Sequence, residues 1–394
     1  MSDTGGGHRA AAEAIQAAAE QRYPGALEFT LVDVFRHHTP FPFRYAPEIY
    51  PFWVNYAART WHLSYAMTNS RAGSRIVMRS FYYYWRSRLR WMLRKYPADM
   101  ILSVHSMVAP PVMQVLQEAP TRPPFMTVVT DLVSTHAFWY DPQVDRCLVP
   151  TEAAYERGLK FGMKDHQMRV TGLPVHPKFV KGLVSKGQAR QDLNLPQDLP
   201  AVLIVSGGEG MGPLFDIADA INQRRLPCQL LIVAGRNEKL REQLDAHHWN
   251  QPTKIFGFVE FMPKLMASAD LIVTKAGPAT ISEACMAGLP IVISGAIPGQ
   301  EDGNIQLVTQ NGVGVFAPGA RRVAEAVAEM LNNGGGDLER RSESARKLAR
   351  PDAVWAILEE VYGMAQTPPV SISPKPHSAL SSIRALLSIP NPPQ

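Results

Sequence analysis

Short runs of consecutive apolar residues recur along this 394-residue chain, separated by stretches with helical spacing. In the first half they read FTLVDVF, ADMILSVHS, FMTVVTDL, RCLVPT and MRVTGLPV. In the second half they read AVLIVSGGEG, CQLLIVAGRN, KIFGFV, LIVTKAGP, LPIVISGA and GVGVFAP. Short, near-continuous apolar runs are what strands buried on both faces require. Helical patterns such as Leu214–Asn222 and Ala279–Ala287 lie between them. Strands alternating with helices predict parallel sheets with right-handed crossovers. The fold class expected is α/β: two doubly wound domains facing each other across an inter-domain cleft.

The pattern divides into a first unit at 1–173, a connection at 174–200, a second unit at 201–350 and an amphipathic helix at 351–364. The connection is marked by prolines in LPVHPKFVKGL and NLPQDLP. Residues 365–394 are rich in Pro and Ser and read as a disordered tail, with Leu380, Ile383 and Leu387 as a short apolar stripe. The opening MSDTGGGHRAAAEAI has a glycine loop and a helix but no strand written before them. The expectation is a start lying upstream, or a first sheet that lacks a strand.

Composition narrows the class. Hydrophobic content of 46% and charged content of 19% suit well-cored globular domains. Cys147, Cys228 and Cys285 lie in apolar runs without metal-ligand spacing. This argues against a disulfide framework or a zinc site and for a reducing compartment. No signal-peptide pattern and no membrane-spanning apolar run is written. The net charge of +5 is unevenly placed: residues 41–96 hold ten Arg or Lys against Glu48 alone, with 16 aromatic residues among them. That mixture suits an anionic membrane surface, where rings settle at headgroup level. Single-stranded nucleic acid, or a buried helical pair with arginines at its edge, would use a similar composition. The membrane surface is favoured, and nucleic acid is not expected as a partner.

Several loops carry candidate chemistry. Gly6 and Gly7 lead into a helix whose positive end favours a phosphate. The loop is neither a Walker loop nor a dinucleotide fingerprint. His8 at that helix start is unusual, because a cation is disfavoured there. A neutral imidazole in this place can accept a proton; the alternative is a packing or capping role. VSGGEGMG, with Gly208, repeats the glycine loop in the second unit. In TKAGPATISEA, Gly277 bends the chain, Thr280 opens the helix, and Glu283 faces the cleft from its first turn, suited to vicinal hydroxyls. A helix-end acid that only stabilises the dipole is the alternative. PGQEDGN concentrates Gln300, Glu301 and Asn304, groups that can donate to or accept from sugar hydroxyls. Arg236, at another strand end, is placed to neutralise phosphate. Neither a D-x-D motif nor a His/Cys cluster appears, so no metal is expected.

Taken in order, MSDTGGGHRAAAEAI, VVTDLVSTHAFWY, VPTEAAYERGLKFGM, VTGLPVHPKFVK, SGGEGMG, AGRNEKL, GFVEFM, TKAGPATISEA and GQEDGN closely resemble the monogalactosyldiacylglycerol synthases and processive diacylglycerol glucosyltransferases of glycosyltransferase family 28. The resemblance covers residues 1–362 and leaves out the tail. It implies a GT-B fold and inverting transfer of a hexose from a UDP-sugar to diacylglycerol, by a peripheral membrane protein at the cytoplasmic face. UDP-galactose is the favoured donor and UDP-glucose the alternative; no cofactor is implied. By the motif match, His8 is the base for the acceptor hydroxyl, with Asp131 and His136 in reserve. Phe258 and Val259 line the uracil, Glu283 holds the ribose, and Gln300 and Glu301 hold the hexose. The basic, aromatic segment falls where the family docks on membranes, which makes anionic lipids expected partners. The chain departs from the family at the missing first strand, at Ser206 and at Ala279. Other readings are a family 28 transferase with another lipid acceptor, a UDP-sugar epimerase, and an inactive UDP-sugar-binding membrane protein.

Overall fold

The computed structural model describes residues 1–2, 6–207, 212–332 and 335–372. Gly208 and the tail stripe of Leu380, Ile383 and Leu387 lie outside them. Two parallel sheets organise the chain. The first has four strands, in the order Ile101–Ser103, Phe125–Val128, Arg146–Val149, Met168–Val170. The second has six, in the order Gly314–Phe316, Ile291–Gly295, Leu271–Lys275, Ala201–Val205, Gln229–Val233, Thr253–Phe256. Val370–Ser371 adds a short antiparallel pair with Thr121–Arg122.

Strand periodicity explains why the runs are apolar throughout. Phe125, Cys147 and Val149 enter one core with Trp85, Leu89 and Met113 from the helices Arg71–Lys95 and Ala109–Leu116. Their neighbours Met126, Val128 and Leu148 enter the opposite core, with Ala14, Ile15 and Ala18 of the helix Gly7–Arg22. The second sheet does the same: Leu203, Leu231 and Ile272 face one layer, and Val202, Leu230 and Val273 the other. Successive residues of a strand point to opposite faces, so a strand covered by helices on both sides cannot alternate with polar residues.

The chain crosses back at its end. The helix Ala353–Ala365 places Val354, Ile357, Leu358 and Val361 in the core of the first unit, beside Ala14 and Ile15. Val175 and Phe179 of the connection, with Leu173 just before it, in turn pack into the core of the second.

One expected strand is corrected. FTLVDVF forms no sheet strand; its end becomes the short helix Val34–His38, because the Asp33 side chain accepts the Arg36 N–H at 3.1 Å and caps it. Beside it, the Met1 N–H group donates to Val32 O at 3.0 Å and Met1 O accepts from Val34 N at 3.1 Å. These two bonds make one rung of a parallel ladder.

Candidate active site

In an open parallel sheet, loops at the carboxyl ends of strands converge, and ligands bind there. The residues singled out above, apart from those around His8, follow strand ends: Asp131 after Phe125–Val128, Arg236 after Gln229–Val233, Phe258 and Val259 after Thr253–Phe256, Gly277 after Leu271–Lys275, and Gln300 after Ile291–Gly295. A cavity of about 720 Å³ lies elsewhere. It is lined by Asp145, Arg146, Glu360 and Pro369 at the amino ends of the first sheet's strands, remote from these loops.

On the first domain, Gly6 is the N-cap of Gly7–Arg22 in the left-handed conformation, φ 75°, which glycine adopts without strain. His8 is thereby set in the first turn. Its Nδ1 lies 2.9 Å from Thr130 Oγ1, and its ring lies 4.4 Å from His105 and 6.1 Å from Trp139, centre to centre. Burial lowers its pKa to about 4, against a smaller upward pull from a hydrogen bond to the Val104 backbone. The imidazole is therefore neutral at neutral pH and able to take a proton. Trp139 bridges to the next group: its Nε1–H donates to Asp131 Oδ2 at 2.7 Å. Burial pushes Asp131 up to about 6, while hydrogen bonds from Trp139 and Gln300 oppose the rise.

His136 stands apart from this chemistry. Its Nδ1 accepts the Phe138 N–H at 3.1 Å, and its Nε2 meets Thr68 Oγ1 at 3.1 Å. Its Nδ1 thus caps the turn Ala137–Trp139, while its Nε2 ties that turn to the helix Ala58–Thr68.

On the second domain, Gly277 is the N-cap and Pro278 opens the helix Pro278–Met286. Thr280 is thus the third helical residue, and Glu283 sits on the second turn rather than the first. Proline at the first helical position sets the start, since its missing N–H is not needed there. At a helix start the N–H groups of Ala279 and Thr280 lack an intrahelical carbonyl partner, and such ends favour anions. The Glu283 carboxyl has no hydrogen-bond or ion-pair partner among the described residues, and burial raises it to about 7. Arg236 stacks over Phe258, 4.0 Å from its ring centre, and Phe258 is 52% exposed. A flat, open ring backed by a cation suits a planar base.

The loop 296–304 divides its polar groups. Gln300 alone of the three named groups reaches the first domain: its Oε1 accepts the Tyr50 O–H at 3.2 Å, and its amide bonds Asp131. Glu301 is turned inward instead. Its Oε2 accepts the Ile297 N–H at 2.8 Å and its Oε1 lies 3.9 Å from Lys275 Nζ. Asn304 is also buried, donating to Ala276 O at 2.8 Å and so pinning the Gly277 turn from below. A sharp loop must satisfy its own buried backbone, and these two side chains do that.

Three residues of the site went unread in the sequence. Lys275 ends its strand with its side chain beside both Gly207 and Gly277, a cation set against two strand-end loops. A lysine at the end of an apolar strand, just before Gly-Pro, was the available signal. Tyr50 and Thr130 had none, since their roles depend on partners 250 and 122 residues away.

Two Rossmann-like domains, meeting through strand-end loops, with a buried neutral histidine on one side and a glycine–proline helix start on the other, have the GT-B architecture of glycosyltransferases. Solved structures agree on the fold: MurG of Acinetobacter baumannii (TM-score 0.53, 15% identity, 71% of this chain and 77% of that one). A UDP-N-acetylglucosamine 2-epimerase homologue from Listeria monocytogenes has a TM-score of 0.54 at 15% identity, over 73% of this chain and 80% of that one. The family described as monogalactosyldiacylglycerol (MGDG) synthase matches residues 8–175, and the glycosyltransferase family 28 C-terminal domain matches residues 203–354. A probable monogalactosyldiacylglycerol synthase 2 of Oryza sativa subsp. indica is 37% identical over 97% of this chain and 83% of its own length. Monogalactosyldiacylglycerol synthase 1 of Arabidopsis thaliana is 38% identical over 92% and 69%. This chain belongs to the monogalactosyldiacylglycerol synthase family.

Proposed function

We propose that this protein transfers galactose from UDP-galactose to diacylglycerol at a membrane surface, with inversion at the sugar carbon. The observation that carries the reading is the crossing between domains: Gln300 of the donor loop meets Asp131 and Tyr50 of the first domain, beside His8. A hexose held by Gln300 would have its reacting carbon over the His8–Trp139–Asp131 group.

The steps follow from the chemistry of each group. The uracil lies on Phe258 and Val259, the ribose hydroxyls on Glu283, and the diphosphate on the Pro278 helix end, Lys275 and Arg236. The acceptor hydroxyl attacks C1 from the face opposite UDP. Its proton passes to the neutral His8 imidazole, held through Nδ1 by Thr130. The C1–O bond to UDP breaks with its electrons on the diphosphate, whose charge is met by the helix end and the lysine. An α-linked donor gives a β-glycoside. Because protein cations meet the phosphate charge, transfer should persist in excess chelator.

The acceptor reaches the site from a lipid surface. Among the described residues no helix is long and apolar enough to cross a membrane. Residues 41–91 expose Phe41, Ile49, Leu63, Met67, Ile76, Tyr83, Tyr84 and Trp91, interleaved with arginines. These rings and cations suit peripheral docking on an anionic leaflet. The three buried free cysteines suit the reducing, cytoplasmic side.

The test is incubation with diacylglycerol in anionic liposomes and either UDP-galactose or UDP-glucose, with the lipid product read by mass. A hexosyl-diacylglycerol from UDP-galactose is expected. Product from UDP-glucose alone would change the sugar. UDP binding without any glycolipid would remove the acceptor assignment.

A further inference from the structure

The helices Ala46–Tyr56 and Ala58–Thr68 form a hairpin whose two faces meet different surroundings. Outward, Ile49, Leu63 and Met67 are 47%, 60% and 68% exposed. Inward, the hairpin meets the donor loop at two places. The Tyr50 O–H donates to Gln300 Oε1 at 3.2 Å. At Gly299, φ 83°, an added Cβ would lie 3.1 Å from both His62 Nδ1 and Tyr65 Cδ1. The Tyr65 O–H donates to Ser134 O at 2.5 Å, and Ser134 Oγ accepts the Gly303 N–H at 2.8 Å. The Tyr50 ring is held edge-on by Trp61, whose own ring meets Trp53. One small element therefore carries exposed apolar residues on one side and holds the donor loop on the other.

We propose that Tyr50 is a positioning residue, whose phenol sets the Gln300 side chain and couples docking of the 46–68 hairpin on lipid to placement of the donor loop. The proposal rests on reading the hairpin as the docking face and Gln300 as a hexose contact. The physical argument is one of shared ordering. A hairpin settled in a lipid surface presents Tyr50 in one orientation, and the donor loop is then ordered at lower entropic cost. Linkage makes the effect reciprocal: whatever factor the membrane adds to donor affinity, the donor adds to membrane affinity.

The experiment measures binding without turnover. Vesicles of phosphatidylcholine and phosphatidylglycerol, free of diacylglycerol, are mixed with the full chain, and UDP-galactose is titrated by calorimetry. Sedimentation of the vesicles gives the reciprocal factor. The donor dissociation constant is expected to fall at least about fivefold on vesicles, the low end for coupled sites. Vesicle binding should tighten by the same factor with UDP-galactose, and by less with UDP, which lacks the hexose. Tyr50→Phe keeps the ring and its packing; its donor-free vesicle binding should match wild type while the coupling factor falls to near one. Gln300→Ala, with Tyr50 intact, should abolish the coupling equally. In turnover on vesicles, Tyr50→Phe should raise the KM for UDP-galactose with little change in kcat. Equal donor affinity on and off vesicles, or a Tyr50→Phe protein with full coupling, overturns the proposal. A chain that binds no vesicle refutes the docking reading and the coupling with it; one that docks without coupling refutes the coupling alone.

Discussion

Gly303→Ala separates strain between domains from strain within one. Gly303 is the second residue of the helix Asp302–Gln310. Within that helix alanine is the better residue, by up to about 1 kcal/mol. Yet a Cβ at this position would lie 2.6 Å from Val133 Cγ1 and 2.7 Å from Ser134 Oγ. Both belong to the first domain, in the loop after Asp131. Overpacking of this kind costs about 1–3 kcal/mol. The strain is relieved when the domains part, so it falls on closure rather than on folding. Parting also breaks the Gly303 N–H bond to Ser134 and draws Gln300 away from Asp131 and Tyr50. The expected result is a kcat/KM for transfer reduced about 5- to 150-fold, the factor that 1–3 kcal/mol represents. Thermal unfolding should occur at the same temperature or slightly higher. Full activity, or a marked loss of thermal stability, would refute the reasoning, since either would mean that the contact does not act between separable domains.

Four further outcomes follow from the same geometry. His8→Ala should lower turnover by about 10²- to 10⁴-fold with UDP binding retained, measured by calorimetry beside steady-state rates. With His8 held near pKa 4, kcat/KM should fall on the acid side only as pH drops through about 4; a limb near 6 would instead mark Asp131 as the base. Glu283, raised from 4.5 to about 7, holds its proton more tightly folded than unfolded, so its contribution to stability declines as pH rises through that window. Glu283→Gln should therefore gain in thermal stability over wild type from about pH 5 to about pH 8, while its UDP affinity falls. Asp145 accepts both terminal nitrogens of Arg122, at 2.6 and 3.0 Å, and the Phe125 N–H at 2.7 Å. Because Arg122 is buried, Asp145→Asn should cost about 3–5 kcal/mol in denaturant unfolding.

The parallel sheets were legible because both faces of each strand are covered, which leaves apolar runs such as QLLIV and LIVTK no polar position to alternate with. Helix starts were less legible. Thr280 looked like the opening residue, but Pro278 with Gly277 before it decided the start, moving Glu283 onto the second turn. FTLVDVF had a strand's composition, and a single Asp33 cap made its end helical. His136 has the residue type of a base, and only the structure shows one ring nitrogen capping a turn and the other bonded to Thr68.

What the sequence determined by itself is the α/β alternation and the placing of candidate groups after strand ends, because both are written within a few neighbouring residues. Period, turn chemistry and the residue types of a loop are local properties. The tertiary structure decided which of those groups face one another. Gln300, Glu301 and Asn304 are equivalent polar residues in the chain, yet one reaches Tyr50 and Asp131 while the others satisfy Ile297 and Ala276. A loop side chain turns toward whichever partner the rest of the fold brings near it, and for Gln300 that partner comes from the opposite domain.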